Sequence, residues 1–163
     1  MKLHAYWGSY FPLLHRIVEK TTGDILEFGT GIFSTPYFHW IGLTYNRFIC
    51  SYENDPYYYE LLLRFKTDSH QLTLVDNWDL AKVDSHFWDI ALIDHNPAGR
   101  RRVEIERLSK IVNYIIVHDT DMKNEKYYKL NTVYPLFKYK YYYTEFEPHT
   151  TVLSNFSDLV WLQ

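Results

Sequence analysis

The chain has one cysteine, Cys50, so no disulfide can form within it, and its eight histidines include no pair at ligand spacing with a Cys or a second His that would suggest zinc. Cys50 falls inside an apolar run and reads as core filler in a protein of a reducing compartment. Long hydrophobic stretches are missing too. Residues 1–7 offer neither a signal-peptide core nor a membrane span, so a cytoplasmic protein with no membrane partner is expected. Excess charge is small: 17 basic against 20 acidic residues give a net −3, which argues against binding nucleic acid by bulk electrostatics, and no nucleic-acid partner is expected. Glycine and proline are sparse, six of each, and no repeat or linker interrupts the chain, so residues 1–163 read as one domain. What is abundant is aromatic: sixteen Tyr and ten Phe, placed for core and half-buried sheet packing.

Two of the few glycines stand together. In Asp24-Ile25-Leu26-Glu27-Phe28-Gly29-Thr30-Gly31-Ile32-Phe33-Ser34-Thr35-Pro36 an apolar run meets a Gly-x-Gly turn and a helix begins. Gly29 and Gly31 allow positive φ and close ligand approach, and Ser34 or Thr35 can cap a helix with Pro36 at its first position. Glu53 closes the next apolar run, followed by Asn54, where a ribose-binding acid belongs in a βαβ nucleotide unit. A nicotinamide site would want a third glycine where Ser34 stands.

With Glu27 before the glycines, Ser34-Thr35 after them and Glu53 at the next strand end, the chain resembles the class I S-adenosylmethionine-dependent methyltransferases. The resemblance implies that the turn Gly29-Thr30-Gly31, with Glu27 and Ser34, lies against the methionine part of that cofactor. It implies that Glu53, with Asn54, holds the ribose.

Periodicity places helices at 10–20, 36–41, 56–66, 103–112 and about 125–137, and strands at 24–28, 48–52, 71–75, 88–93, 114–117, 139–146 and 150–154, the last two a hairpin. In the helices, Tyr58, Leu61, Leu62 and Phe65, then Val103, Leu108, Ile111 and Val112, are expected inside. Such βα units ending in a hairpin match the family's fold: an α/β, Rossmann-like three-layer sandwich whose mixed seven-stranded sheet has the order 3-2-1-4-5-7-6 with a C-terminal antiparallel hairpin.

Open α/β sheets bind ligands beyond the carboxyl ends of their strands. There the chain places Asp76 and Asn77, where the family contacts adenine; Asp94, His95 and Asn96; and His118, Asp119, Thr120 and Asp121. Leu92-Ile93-Asp94-His95 and Asp119 are similar to the catechol O-methyltransferase type, in which oxygens at these strand ends hold magnesium. Thr120 stands at the third ligand position and no lysine follows His95, so Mg2+ is not favoured and no metal ligands are assigned. Asp94, His95 and Asp119 are the catalytic candidates, with Asp94 also touching the cofactor; either His95 or His118 could serve as a base. Arg100-Arg101-Arg102 opens a helix whose dipole disfavours cations. Arg101 and Arg102, with His118, are therefore candidates to hold an anionic group of the substrate. The segment Tyr6-Trp7-Gly8-Ser9-Tyr10 is placed to fold over the cofactor.

These readings add up to a methyltransferase acting on a small-molecule or carbohydrate-like acceptor, most simply at oxygen. Aminopropyl transfer, cofactor cleavage or a silent cofactor-binding module are the alternatives.

Overall fold

Within each short apolar run, alternation decides which sheet face a side chain takes. The computed structural model describes residues 5–163, so the reading of residues 1–4 lies outside the described residues. It forms α1 (Phe11–Glu19), β1 (Ile25–Phe28), α2 (Ser34–Tyr45), β2 (Ile49–Glu53), α3 (Pro56–Leu62), β3 (His70–Leu74), β4 (Trp88–Ile93), α4 (Arg101–Leu108), β5 (Val112–His118), α5 (Met122–Tyr128), β6 (Tyr139–Tyr143) and β7 (Thr150–Ser154). The strands make one sheet of order β3-β2-β1-β4-β5-β7-β6. The first five are parallel, β7 runs antiparallel to β5, and β6 to β7.

Two hydrophobic clusters cover the two faces. Leu26, Phe28, Cys50, Ala91, Ile93, Ile115 and Val117 pack with Ile105 and Leu108 of α4. Their strand neighbours Ile25, Ile49, Ile90, Leu92 and Ile116 pack with Leu13, Leu14 and Ile17 of α1 and Phe38 of α2. This is the expected three-layer α/β sandwich. No helix among the described residues is long and apolar enough to cross a membrane.

The elements differ from the sequence reading where side-chain chemistry overrides periodicity. α2 begins at Ser34, two residues before Pro36, so Ser34 and Thr35 are inside the helix and the cap position is Phe33, with no side-chain cap. The hydroxyl of Thr35 instead serves a buried carboxylate, as described below. α4 ends at Leu108, and its buried residues are Arg101, Glu104, Ile105 and Leu108; Val103 is only half-buried, and Ile111 and Val112 lie beyond the helix. Periodicity misplaces this helix because two of its four inward positions are charged. α3 ends at Leu62, its one buried residue, before a 3-10 turn over Leu63–Phe65. The helical stretch before the hairpin is α5 followed by two 3-10 turns.

Candidate active site

Beyond the carboxyl ends of β1, β2, β4 and β5 lies a cavity of about 590 Å³, within the 300–1,000 Å³ range of small-molecule sites. The turn after β1 forms its floor. Gly29 has φ +87°, and a Cβ there would stand 2.7 Å from the backbone N and Cα of His95, so only glycine lets the β1 and β4 ends come this close. Gly31 does not share that requirement: its φ is not positive, and an added Cβ would stand 3.0 Å from Ser34 Oγ.

At the β2 end, Glu53 lines the cavity and is almost fully buried. Its Oε2 accepts from Thr30 N at 2.7 Å and Thr30 Oγ1 at 2.8 Å, and its Oε1 from the backbone N of Asn54 and Asp55, each at 2.8 Å. Four donors fill the four lone-pair directions of the carboxylate. The acid thereby shapes the glycine turn and the start of the β2–α3 loop, and a ligand hydroxyl reaches it by taking the place of one of these donors. Thr30 and Asn54 line the cavity beside it, with Asp55, which the sequence reading did not single out, and Tyr58, which it placed inside the helix core.

Glu27 lies underneath, 0% exposed and not among the lining residues. Thr35 Oγ1 donates to both its oxygens at 3.0 Å and itself accepts from Gly31 N, so Glu27 holds the turn from below. Ser51 Oγ donates to Glu27 at 2.6 Å, which makes Ser51 an acceptor for Nε2–H of His70 at 2.8 Å. Burial pushes the Glu27 carboxyl up to about 7 against the pull of the Ser34, Ser51 and Thr35 hydroxyls. Burial also pushes His70 down to about 3, keeping it neutral. Ser34 is likewise buried under the turn and does not line the cavity.

The β4 and β5 ends bring Asp94, His95, Arg101, His118 and Asp119 together on the opposite wall. Asp94 and Asp119 are 25% and 27% exposed at their side chains; Arg101 is 3% exposed. Arg101 donates to Asp94 Oδ1 at 3.0 Å, Asp119 Oδ2 at 3.2 Å, and the carbonyls of His95 and His118 at 3.0 and 2.8 Å. The ring of Tyr128 lies 5.4 Å from its guanidinium carbon. These donors are spent within the protein, so Arg101 is a brace between two strand ends and not a free clamp for a substrate anion. Arg102 is exposed and lines no part of the cavity.

One hydrogen bond of His118 places a proton on Nε2. Ser9 Oγ donates to the carbonyl of Pro148 at 2.6 Å, so at 2.9 Å it must accept from His118 Nε2–H. Nδ1 meanwhile stands 3.1 Å from Asp94 Oδ1 and 3.6 Å from Asp119 Oδ1. Burial works against charge on this ring, but Asp94 and Asp119 outweigh it and raise its pKa. For Asp94, burial is likewise outweighed by His118 and Arg101, which hold the carboxyl below its usual range. The two acids thus favour the charged form of His118, which stands beside them as a counter-ion when it is protonated. His95 is buried between Trp78 and Phe28 with Nε2 3.0 Å from Glu104. Burial lowers its pKa despite Glu104, so it is neutral.

Asp76 and Asn77 are exposed and do not line the cavity; the Asn77 side chain accepts from Asp79 N at the start of a 3-10 turn. Tyr6, Trp7 and Tyr10 do line it, and Ser9 pins that segment to His118. Ser9 and Glu104 are the partners that sequence reasoning missed. Glu104 carried one signal, its place one turn after Arg100, with which it pairs at 3.0 Å.

Asp94, His118 and Asp119 place ligand-type atoms within 4.8 Å of one another, a donor set of the kind a metal ion takes. Arg101 already bridges the two acids, so the residues present do not fit a divalent ion without displacing that guanidinium.

No protein-family model matches the chain, and no curated protein matches it by sequence. Solved structures do. The N-terminal domain of human METTL16 in complex with SAH superposes with a TM-score of 0.66 at 12% identity, covering 96% of this chain and 73% of that one. The catalytic domain of hMettl16 in complex with the MAT2A 3′UTR hairpin 1 gives 0.66 at 10% identity, with coverage of 96% and 73%. The human methyltransferase 10 domain containing protein gives 0.61 at 11% identity, covering 96% and 85%. The shared feature is the fold: this chain has the class I methyltransferase fold, with the sheet order expected of it.

Proposed function

We propose that the cavity binds S-adenosylmethionine and that the protein transfers its methyl group to a hydroxyl of a small, carbohydrate-like acceptor. The observation that carries this reading is the continuity of one cavity from Glu53 and Asn54, past the bare backbone of Gly29, to Asp94 and Asp119. That is the run of a ribose, an amino-acid chain and an acceptor in a fold of which a solved member holds SAH. When bound, the cofactor supplies a methyl already activated on a sulfonium, so what the protein contributes is alignment.

In this reading Glu53 and the Thr30 hydroxyl exchange hydrogen bonds with the ribose. Asp94, charged and held by Arg101 and His118, meets the ammonium end of the cofactor. Asp119 Oδ1 accepts the hydrogen bond of the acceptor hydroxyl and takes its proton as the hydroxyl oxygen is methylated, with Arg101 fixing Oδ2. His95 contributes as a neutral, buried strand-end residue. Tyr6 and Trp7 supply apolar walls suited to the C–H faces of a sugar. One neighbour is solved with an RNA hairpin. Among the described residues, the lining acids Glu53, Asp55, Asp94 and Asp119 face no lining cation except the internally engaged Arg101 and His118, a setting that disfavours a phosphate backbone and favours a neutral acceptor.

Calorimetry with S-adenosylmethionine, S-adenosylhomocysteine and NAD tests the first step: heat with both sulfur compounds and none with NAD is expected, and the reverse overturns the reading. Product analysis tests the second. S-adenosylhomocysteine marks methyl transfer, methylthioadenosine marks aminopropyl transfer or cleavage, and binding without turnover marks a silent module.

A further inference from the structure

Two carboxylates at adjacent strand ends normally need a cation between them, because like charges this close raise each other's cost of ionisation. Asp94 and Asp119 have one built in. The Arg101 guanidinium contacts one oxygen of each acid, and two further donors tie it to the carbonyls of His95 and His118, the residues that flank the same acids in sequence. The planar fork suits such a bridge, since several donors at fixed angles reach four acceptors at once, where a lysine would present one compact charge. Asp119 also adopts a left-handed backbone, φ +58°, unusual for a residue other than glycine, at the point where its carboxylate meets Arg101.

We propose that Arg101 is a resident cation: it occupies the position between Asp94 and Asp119 that a divalent ion would otherwise take, and by filling it makes this edge of the cavity independent of metal. Arg101 is accordingly a positioning residue, acting on any ligand through the two aspartates. The proposal does not rest on the cofactor reading, since it concerns the protein alone. It makes a metal site latent in the chain: removing the guanidinium leaves the ligand-type atoms of Asp94, His118 and Asp119 within 4.8 Å of one another with no guanidinium between the acids.

The test is Mn2+ uptake by the full chain without cofactor, read from the loss of the free-ion electron paramagnetic resonance signal. Wild type is expected to leave Mn2+ free. R101M, with its fold checked by circular dichroism and thermal melting, is expected to bind one ion at least tenfold more tightly than wild type. The double variant R101M/D119N is expected to lose that site. Asp119-dependent Mn2+ binding by wild type overturns the proposal, as does a folded R101M that takes up no ion or one that binds it equally well without Asp119. If R101M does not fold, R101Q carries the same comparison, and the wild-type measurement stands by itself. None of these readouts changes if S-adenosylmethionine proves not to be the ligand, so the two readings fail separately.

Discussion

The two ends of the cavity hold their carboxylates by different physics. At the β2 end Glu53 is answered by three backbone N–H groups and one hydroxyl, all neutral, so its negative charge stays in the site. At the β4–β5 end Asp94 and Asp119 are answered by the Arg101 guanidinium and the His118 ring, so countercharge stands there before any ligand arrives. The first arrangement leaves a rigid acceptor suited to exchanging one hydroxyl for another. The second is a charge lattice whose geometry depends on every member, and taking one out of such a buried set exposes the others.

Gly29, after the strand that lies between β2 and β4, joins the two ends by its close approach to His95. Gly29→Ala places a Cβ 2.7 Å from the His95 backbone at a φ of +87°. Overpacking and a left-handed alanine together are expected to cost about 4 kcal/mol or more. Urea unfolding checks this; a loss under about 1 kcal/mol would mean that the strand ends can separate cheaply.

Glu27, below the neutral end, predicts the next largest effect. Its folded value near 7 exceeds its ordinary 4.5, so the folded protein holds this proton more tightly. The stability it confers is complete below the unfolded value and is lost as pH rises through about 7, at most about 3 kcal/mol in all. His118, also raised, adds a fall of the same sign over higher pH, whereas the contribution of Asp94 is lost only in acid. Because the lowered pKa values of His70 and His95 act with the opposite sign over the same range, the test is the difference between two proteins: between pH 5 and pH 8, Glu27→Gln should lose less stability than wild type, or gain more, by the Glu27 share. An unchanged slope in Glu27→Gln would show that the carboxyl is charged throughout.

Glu53→Gln comes third. It swaps one acceptor oxygen for an amide nitrogen that cannot accept, leaving the donors on that oxygen without their partner, either Thr30 N and Oγ1 or the N–H groups of Asn54 and Asp55. A loss of about 2 kcal/mol is expected in both stability and S-adenosylhomocysteine affinity. Stability lost with affinity intact would assign Glu53 to shaping the turn alone.

The fold was legible because short continuous apolar runs and the Gly29 turn are local signals, and β4 matches its predicted span of 88–93. Glu53, Asp94 and Asp119 were legible as strand-end acids on the cavity. What was not legible is how buried charge is shared. Both Glu27, sealed under the turn, and Glu53, on the wall, belong to parallel strands, and it is the register, which pairs Glu27 with Ser51 two residues before Glu53, that sets Glu27 deeper. Spacing could not show that Arg101 reaches inward to four acceptors in the residues that follow β4 and at the end of β5 while its neighbour points elsewhere. Asp76 and Asn77 follow β3 as expected of adenine contacts, yet the short turn at Trp78–Leu80 takes the Asn77 side chain for itself.

Arg102 supplies the smallest effect and the control for the charged end. It adjoins Arg101 in sequence, carries the same charge and lies in the same first turn of α4, but it is exposed and lines no part of the cavity. Exposed substitutions away from buried networks change stability by at most about 0.5 kcal/mol. The helix dipole makes loss of a cation at this end slightly favourable. Arg102→Ala should therefore melt within a degree or two of wild type and bind S-adenosylhomocysteine equally well. It should also leave the acceptor dependence of turnover untouched, because the balancing charge for Asp94 and Asp119 comes from Arg101 and His118. A selective loss of turnover in Arg102→Ala, with cofactor affinity unchanged, would show that the acceptor extends out of the cavity over the start of α4 and that its outer part is anionic.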